Sequence, residues 1–187
     1  MPIARLPAAF RRATIVFSVL NVCLVTPVSA KIQAVIVQWG ETEIERAGPL
    51  SPEFQGTLLG PGFTFRSRRF VNHNDQIPAQ LCRSFGWEAW LTRGPDDTLP
   101  DRVSVRIRHP ELTRPDGVTA SEQTMVSAVR GATIGNSYSF DLPWEVRPGE
   151  WIFDIVLGGE VLASKTFTVV PREPGSPASI CTGGPVS

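Results

Sequence analysis

The side chains able to do chemistry are few. His73 and His109 are the only two histidines in 187 residues. His73 lies in the string Asn72-His73-Asn74-Asp75, which offers imidazole and oxygen donors together. If His73, Asp75 and His109 met in a cleft, they would supply the acid-base pair or ligand set of a small envelope hydrolase or metal-dependent enzyme. The local chemistry favours a plainer role. Asn and Asp in a short loop bond their own backbone, and the residue before a proline, here His109 before Pro110, is held extended. A Gly-x-Ser-x-Gly elbow is missing, and neither histidine has the surroundings of a cysteine nucleophile's partner. Asp96, Asp97 and Asp101 sit among Gly94, Pro95 and Pro100 without the spacing of a calcium loop. Gly56, Gly60 and Gly62 open no βαβ unit. The expectation is a non-enzymatic chain with no catalytic residue, no metal ligand and no cofactor.

Recognition is the chemistry that remains. Of five tryptophans, Trp87, Trp144 and Trp151 share strand faces with Phe and Leu and are expected in the core. Trp90 falls instead on the face of Ser84 and Glu88. With Arg106 and Arg108 it would form an exposed recognition surface if the two strands are neighbours. Arg66, Arg68 and Arg69 cluster near Phe70, either as a solvated strand face or as a dock for an anionic envelope component.

The elements that position these residues read as strands. Val103, Val105 and Ile107 alternate with Arg102, Ser104, Arg106 and Arg108, a period of two that no helix produces. The same period runs through Phe85, Trp87, Ala89 and Leu91, through Tyr138, Phe140, Leu142 and Trp144, and through Trp151, Phe153, Ile155 and Leu157. Gly158-Gly159 then supplies a tight turn into 161–170. Segments 32–39, 63–71 and 123–130 complete the set, whereas 41–46 and 51–59 are expected to form at most a helical turn or two. The fold expected is all-β: an immunoglobulin-like antiparallel sandwich of about seven or eight strands, with a barrel as the alternative.

The chain begins with Arg5, Arg11 and Arg12, followed by an apolar run from Ala13 to Val25 that is too short to span a bilayer comfortably, then Pro27 and Val28-Ser29-Ala30. That is the layout of a signal peptide over 1–30, cut after Ala30. A β-sandwich domain over 31–171 and a Pro/Gly/Ser-rich tail over 172–187 follow, and no stable membrane span remains. The protein is expected to be periplasmic or secreted, with an envelope protein or glycan as partner. Cleavage removes three arginines and no acid, leaving 15 basic against 18 acidic residues, which argues against a nucleic-acid partner. It also removes Cys23, so that Cys82 and Cys181 remain as a disulfide candidate, the alternative being two free thiols.

Several short elements fall in order along the chain: Gln76-Ile77-Pro78-Ala79, Phe85-Gly86, His109-Pro110, Pro148-Gly149-Glu150-Trp151-Ile152-Phe153, Gly158-Gly159 and Phe167-Thr168-Val169. On these the chain resembles the bacterial family called domain of unknown function 3859. The resemblance implies an exported, domain-sized sandwich and brings no assigned activity.

Overall fold

Alternation decides which side chains go inside. In the computed structural model, which describes residues 31–49, 63–173 and 175, the predicted inward sets meet in one core. Phe85, Trp87, Ala89, Val105, Ile107, Trp151, Phe153, Ile155 and Phe167 are all 0% exposed. Phe85 is the hub. Its ring lies 5.1–5.8 Å from those of Phe140, Trp151, Phe153 and Phe167, in tilted and edge-on contacts that suit aromatic quadrupoles.

The strands are β1 (Gln33–Pro49), β2 (Phe63–Asn72), β3 (Gln76–Pro78), β4 (Ser84–Thr92), β5 (Arg102–Thr113), β6 (Thr119–Ala128), β7 (Thr133–Ser139), β8 (Gly149–Leu157) and β9 (Glu160–Val170). They form a four-stranded sheet in the order β2-β1-β4-β7 and a five-stranded sheet in the order β3-β9-β8-β5-β6. Every pairing is antiparallel except that of β3 with β9. The two sheets face each other as a sandwich, and β8 and β9 make the hairpin that Gly158-Gly159 announces. Among the described residues no helix is long and apolar enough to cross a membrane.

Three elements differ from expectation. Residues 41–46 are strand, since β1 continues through them and pairs on both sides, Thr42 standing opposite both Phe70 and Ser84. The turn in its path is absorbed by Gly40 at φ 131°, where a Cβ would fall 1.8 Å from the Asn72 carbonyl oxygen. Cross-strand charge then fixes the register: Glu43 faces Arg69, and Glu45 binds Arg66 at 3.1 Å. The strand expected to run to Trp144 stops at Ser139, because Pro143 opens a 3-10 turn over Pro143–Glu145 that leaves Leu142 exposed and Trp144 only partly buried against the core. Sequence periodicity also missed β3, three residues that place the fully buried Ile77 beside Val169 of β9. Its outer edge offers no N–H for pairing with another chain. The Gln76 N–H donates to Asn74 Oδ1 at 2.9 Å, and Pro78 has none. Residues 1–30, where a signal peptide is expected, residues 51–59 and most of the tail lie outside the described residues.

Candidate recognition surface

Because β5 alternates, Arg106 and Arg108 emerge on the outer face of the five-stranded sheet while Val105 and Ile107 enter the core. Register brings Asp154 of β8 directly opposite Arg106, and Ser164 of β9 directly opposite Asp154. Three neighbouring strands thus build one polar cluster. Arg106 donates from Nε (3.0 Å) and Nη2 (2.8 Å) to Asp154 Oδ2. Arg108 donates from Nε to Oδ2 and from Nη2 to Oδ1, both at 3.2 Å, and the Ser164 hydroxyl donates to Oδ1 at 2.6 Å. The carboxylate accepts five hydrogen bonds and is 1% exposed although it lies on an outer face, because the guanidiniums roof it. Burial alone would raise its pKa. The bonds from Ser164, Arg106 and Arg108 more than offset this, and the net shift is downward. Asp154 therefore stays ionised, and two arginines share one negative charge.

Trp90 is not part of this cluster. It is 57% exposed on the outer face of β4, in the four-stranded sheet, whereas Arg106 and Arg108 belong to the five-stranded one. The expected joint surface is therefore divided between opposite outer faces, since β4 and β5 are consecutive in sequence but lie in different sheets. The basic cluster on β2 is neutralised arginine by arginine. Arg66 pairs with Glu45 and Arg69 with Glu43, both pairs solvent-exposed. Arg68 leans over the sheet to Glu88 and Ser137, both at 3.4 Å, with burial lowering its pKa against the opposing charge of Glu88.

His73 and Asp75 share the neighbourhood of Trp39, whereas His109 packs elsewhere, against Trp151. His73 packs its ring against Trp39 and Phe70 at 6.2 and 6.4 Å. Asp75 forms an ion pair with Lys165, whose ammonium lies 4.3 Å from the centroid of the Trp39 ring. His109 is buried, stacked 4.9 Å from Trp151, with Nδ1 2.9 Å from the Pro110 carbonyl oxygen, and burial lowers its pKa. Among the described residues no group of three or more His, Cys, Asp or Glu side chains could hold a metal ion. Asp96 and Asp97 lie in the turn after β4, where the Asp97 carboxylate accepts the Gly94 N–H at 3.2 Å. Cys82 occupies the turn between β3 and β4 at φ 65°, and Cys181 is outside the described residues.

Two further polar features escaped the sequence. Glu145, 7% exposed, accepts the N–H groups of Asp141 and Leu142 at 2.7 and 2.8 Å and the Tyr138 hydroxyl at 3.3 Å. Burial dominates here and pushes its pKa up to about 7 against those donors. At the same end of β4 a groove of about 410 Å³ is lined by Glu41, Asn72, Asn74, Gln80, Arg83 and Arg172, among others. Glu41 and Arg83 are paired across it at 3.3 Å. The only sequence signal for the Asp154 cluster is that a lone acid interrupts the outward apolar positions Ile152 and Val156. Its arginines lie 46 and 48 residues away, which periodicity cannot bridge.

The comparisons with known proteins agree with this architecture. No curated protein matches the chain. Five solved chains do, among them an immunoglobulin-like protein from Pseudomonas aeruginosa that is 22% identical, with a TM-score of 0.53 over 76% of this chain and 99% of that one. That likeness is one of fold. A family model matches residues 62–169, from the start of β2 to the end of β9 and more than half of the chain. The chain therefore belongs to the family described as Domain of unknown function (DUF3859).

Proposed function

We propose that this protein is exported to the bacterial envelope, loses residues 1–30, and acts as a non-enzymatic binding module that docks an envelope protein or glycan. The docking surface is the outer face of the five-stranded sheet. The N-terminal sequence supports export: arginines, a short apolar run and a small-residue cut. A bridge from Cys82 to Cys181 belongs to the same reading, since both cysteines remain after cleavage and the compartment is oxidising.

The observation that carries the docking surface is the pair Arg106 and Arg108, fixed on a saturated Asp154 while neither Nη1 has a partner among the described residues. Two cations held in place on one sheet face are pre-organised for a partner and lose little side-chain freedom on binding it.

Two measurements on the protein in its own cells test the reading. Intact mass from the envelope fraction is expected to start at Lys31, with Cys82 and Cys181 alkylated only after reduction. A photo-reactive residue at Thr124, opposite Arg106, is expected to crosslink a partner that the same residue at Trp90 does not reach. A full-length cytoplasmic chain would overturn export, and equal crosslinking from both positions would overturn the choice of face.

A further inference from the structure

We infer that Arg106, Asp154 and Arg108 form a binding site for one oxyanion group, a carboxylate or phosphate carried by the partner. The inference rests on reading this face as the docking surface. It follows from counting donors. A guanidinium has five N–H bonds, two of them on the side edge formed by Nε and Nη2 and two on the end edge formed by Nη1 and Nη2. Both arginines spend the side edge on Asp154, at 2.8–3.2 Å. The end edges stay open, with the side chains 36% and 45% exposed. An end edge matches two oxygens of a carboxylate or phosphate, and its hydrogen bonds to an anion are charge-assisted.

The charge count points the same way. Five other arginines of the described residues have an acid to themselves: Arg66 has Glu45, Arg68 has Glu88, Arg69 has Glu43, Arg83 has Glu41 and Arg114 has Asp116. Arg106 and Arg108 share one, which leaves the cluster at a net charge of +1. Asp154 cannot turn outward to compete with a ligand, because Ser164 and both forks hold it at 1% exposure. The acid placed to compete is Glu122, directly opposite Arg108 on β6. It makes no ion pair among the described residues, whereas Thr124 opposite Arg106 is neutral. Half-buried Ile152 and Val156 flank Asp154 along β8, a dry shoulder on either side of the charge.

The test is a titration of the purified protein with inorganic phosphate and, separately, with acetate. It is followed through the Nε–H signals of Arg106 and Arg108 at near-neutral pH and fixed ionic strength. Saturable shifts of both signals are expected with at least one anion. Arg106→Gln and Arg108→Gln each weaken binding about tenfold, and Glu122→Gln tightens it roughly threefold.

Asp154→Asn decides the mechanism. It raises the net charge but releases the forks, so a built site binds more weakly, whereas equal or tighter binding would reduce the effect to diffuse charge and overturn the proposal. If that variant does not fold, Arg106→Lys, which keeps the charge and loses the fork, is expected to weaken binding about as much as Arg106→Gln, and undiminished binding would overturn the proposal. Absence of a saturable shift with either anion also overturns it. Vesicles of phosphatidylglycerol against phosphatidylcholine then tell a lipid headgroup from a soluble or protein-borne group. A crosslinked partner at Thr124 without anion binding would sink this inference and leave the docking surface standing; anion binding without a crosslink would do the reverse.

Discussion

Asp154 and Glu145 are both carboxylates almost closed off from solvent, at 1% and 7% exposure, yet their pKa values move in opposite directions. Asp154 lies on an outer sheet face beneath two guanidiniums. Glu145 lies in a 3-10 turn, where its donors are two backbone N–H groups and a phenol, with no cation among its partners. Burial penalises the charge at both places. Dipolar donors alone do not offset that penalty, whereas dipoles with two full positive charges do. The same difference separates their roles. Asp154 is a permanent anion that fixes two cations on the surface, and Glu145 is a structural clamp that titrates near neutrality and also helps raise the Tyr138 pKa, burial being the larger cause.

Deleting each carboxylate should produce the largest contrast. Asp154→Ala leaves Arg106 and Arg108 crowded without their counter-charge and is expected to cost about 3 kcal/mol in urea unfolding. Glu145→Ala strips the two N–H groups of Asp141 and Leu142 of their acceptor, for about 1–2 kcal/mol. Equal losses would mean that the ion pairs add nothing beyond hydrogen bonding.

The pH dependence should have opposite signs. Glu145 titrates higher in the folded than in the unfolded chain, so the folded state holds the extra proton. Its contribution is complete below about pH 4.5 and is lost as pH rises through about 7. The lowered pKa of Asp154 does the reverse: its contribution is present above the ordinary carboxylate range and is lost as pH falls through its folded value. Urea unfolding at pH 5 and pH 8 should therefore show a fall in stability with pH on the order of 1–3 kcal/mol from Glu145, partly offset by buried His109, whose lowered pKa makes its own contribution rise with pH. Glu145→Gln, which still accepts both N–H bonds, should flatten that fall. If the slope survives in Glu145→Gln, another group sets it.

How much of this could be read from the sequence depends on how far apart the cooperating residues are. The core was legible because Phe85, Trp87, Val105, Trp151 and Phe153 each declare their side through neighbours one and two places away. The outward direction of Trp90, Arg106 and Arg108 was legible for the same reason. Which sheet each strand joins was not, because nothing local to Trp90, Arg106 or Arg108 tells that β4 and β5 lie in different sheets. The strand state of 41–46 was hidden because its supporting contacts, Glu43 with Arg69 and Glu45 with Arg66, span a long connection. Glu145 was hidden differently. Pro143, read as a member of a strand, instead ends the extended run and lets the third residue of the turn reach back to the N–H groups of Asp141 and Leu142.

The smallest predicted effects ask whether the outer faces differ in kind or only in degree. Ser164→Ala removes one of five bonds to Asp154 and leaves the four guanidinium bonds in place, so the expected loss is about 0.5–1 kcal/mol. Glu43→Ala removes the partner of Arg69 on the four-stranded sheet, where both side chains are well exposed, and should change stability by less than about 0.5 kcal/mol. Raising the salt concentration should erase the Glu43→Ala effect and leave most of the Ser164→Ala effect, because screening acts on solvated charge and hardly on a carboxylate closed off from water. If both effects vanish together in salt, the Asp154 cluster is an ordinary surface ion pair, and the fixed geometry attributed to Arg106 and Arg108 is lost with it.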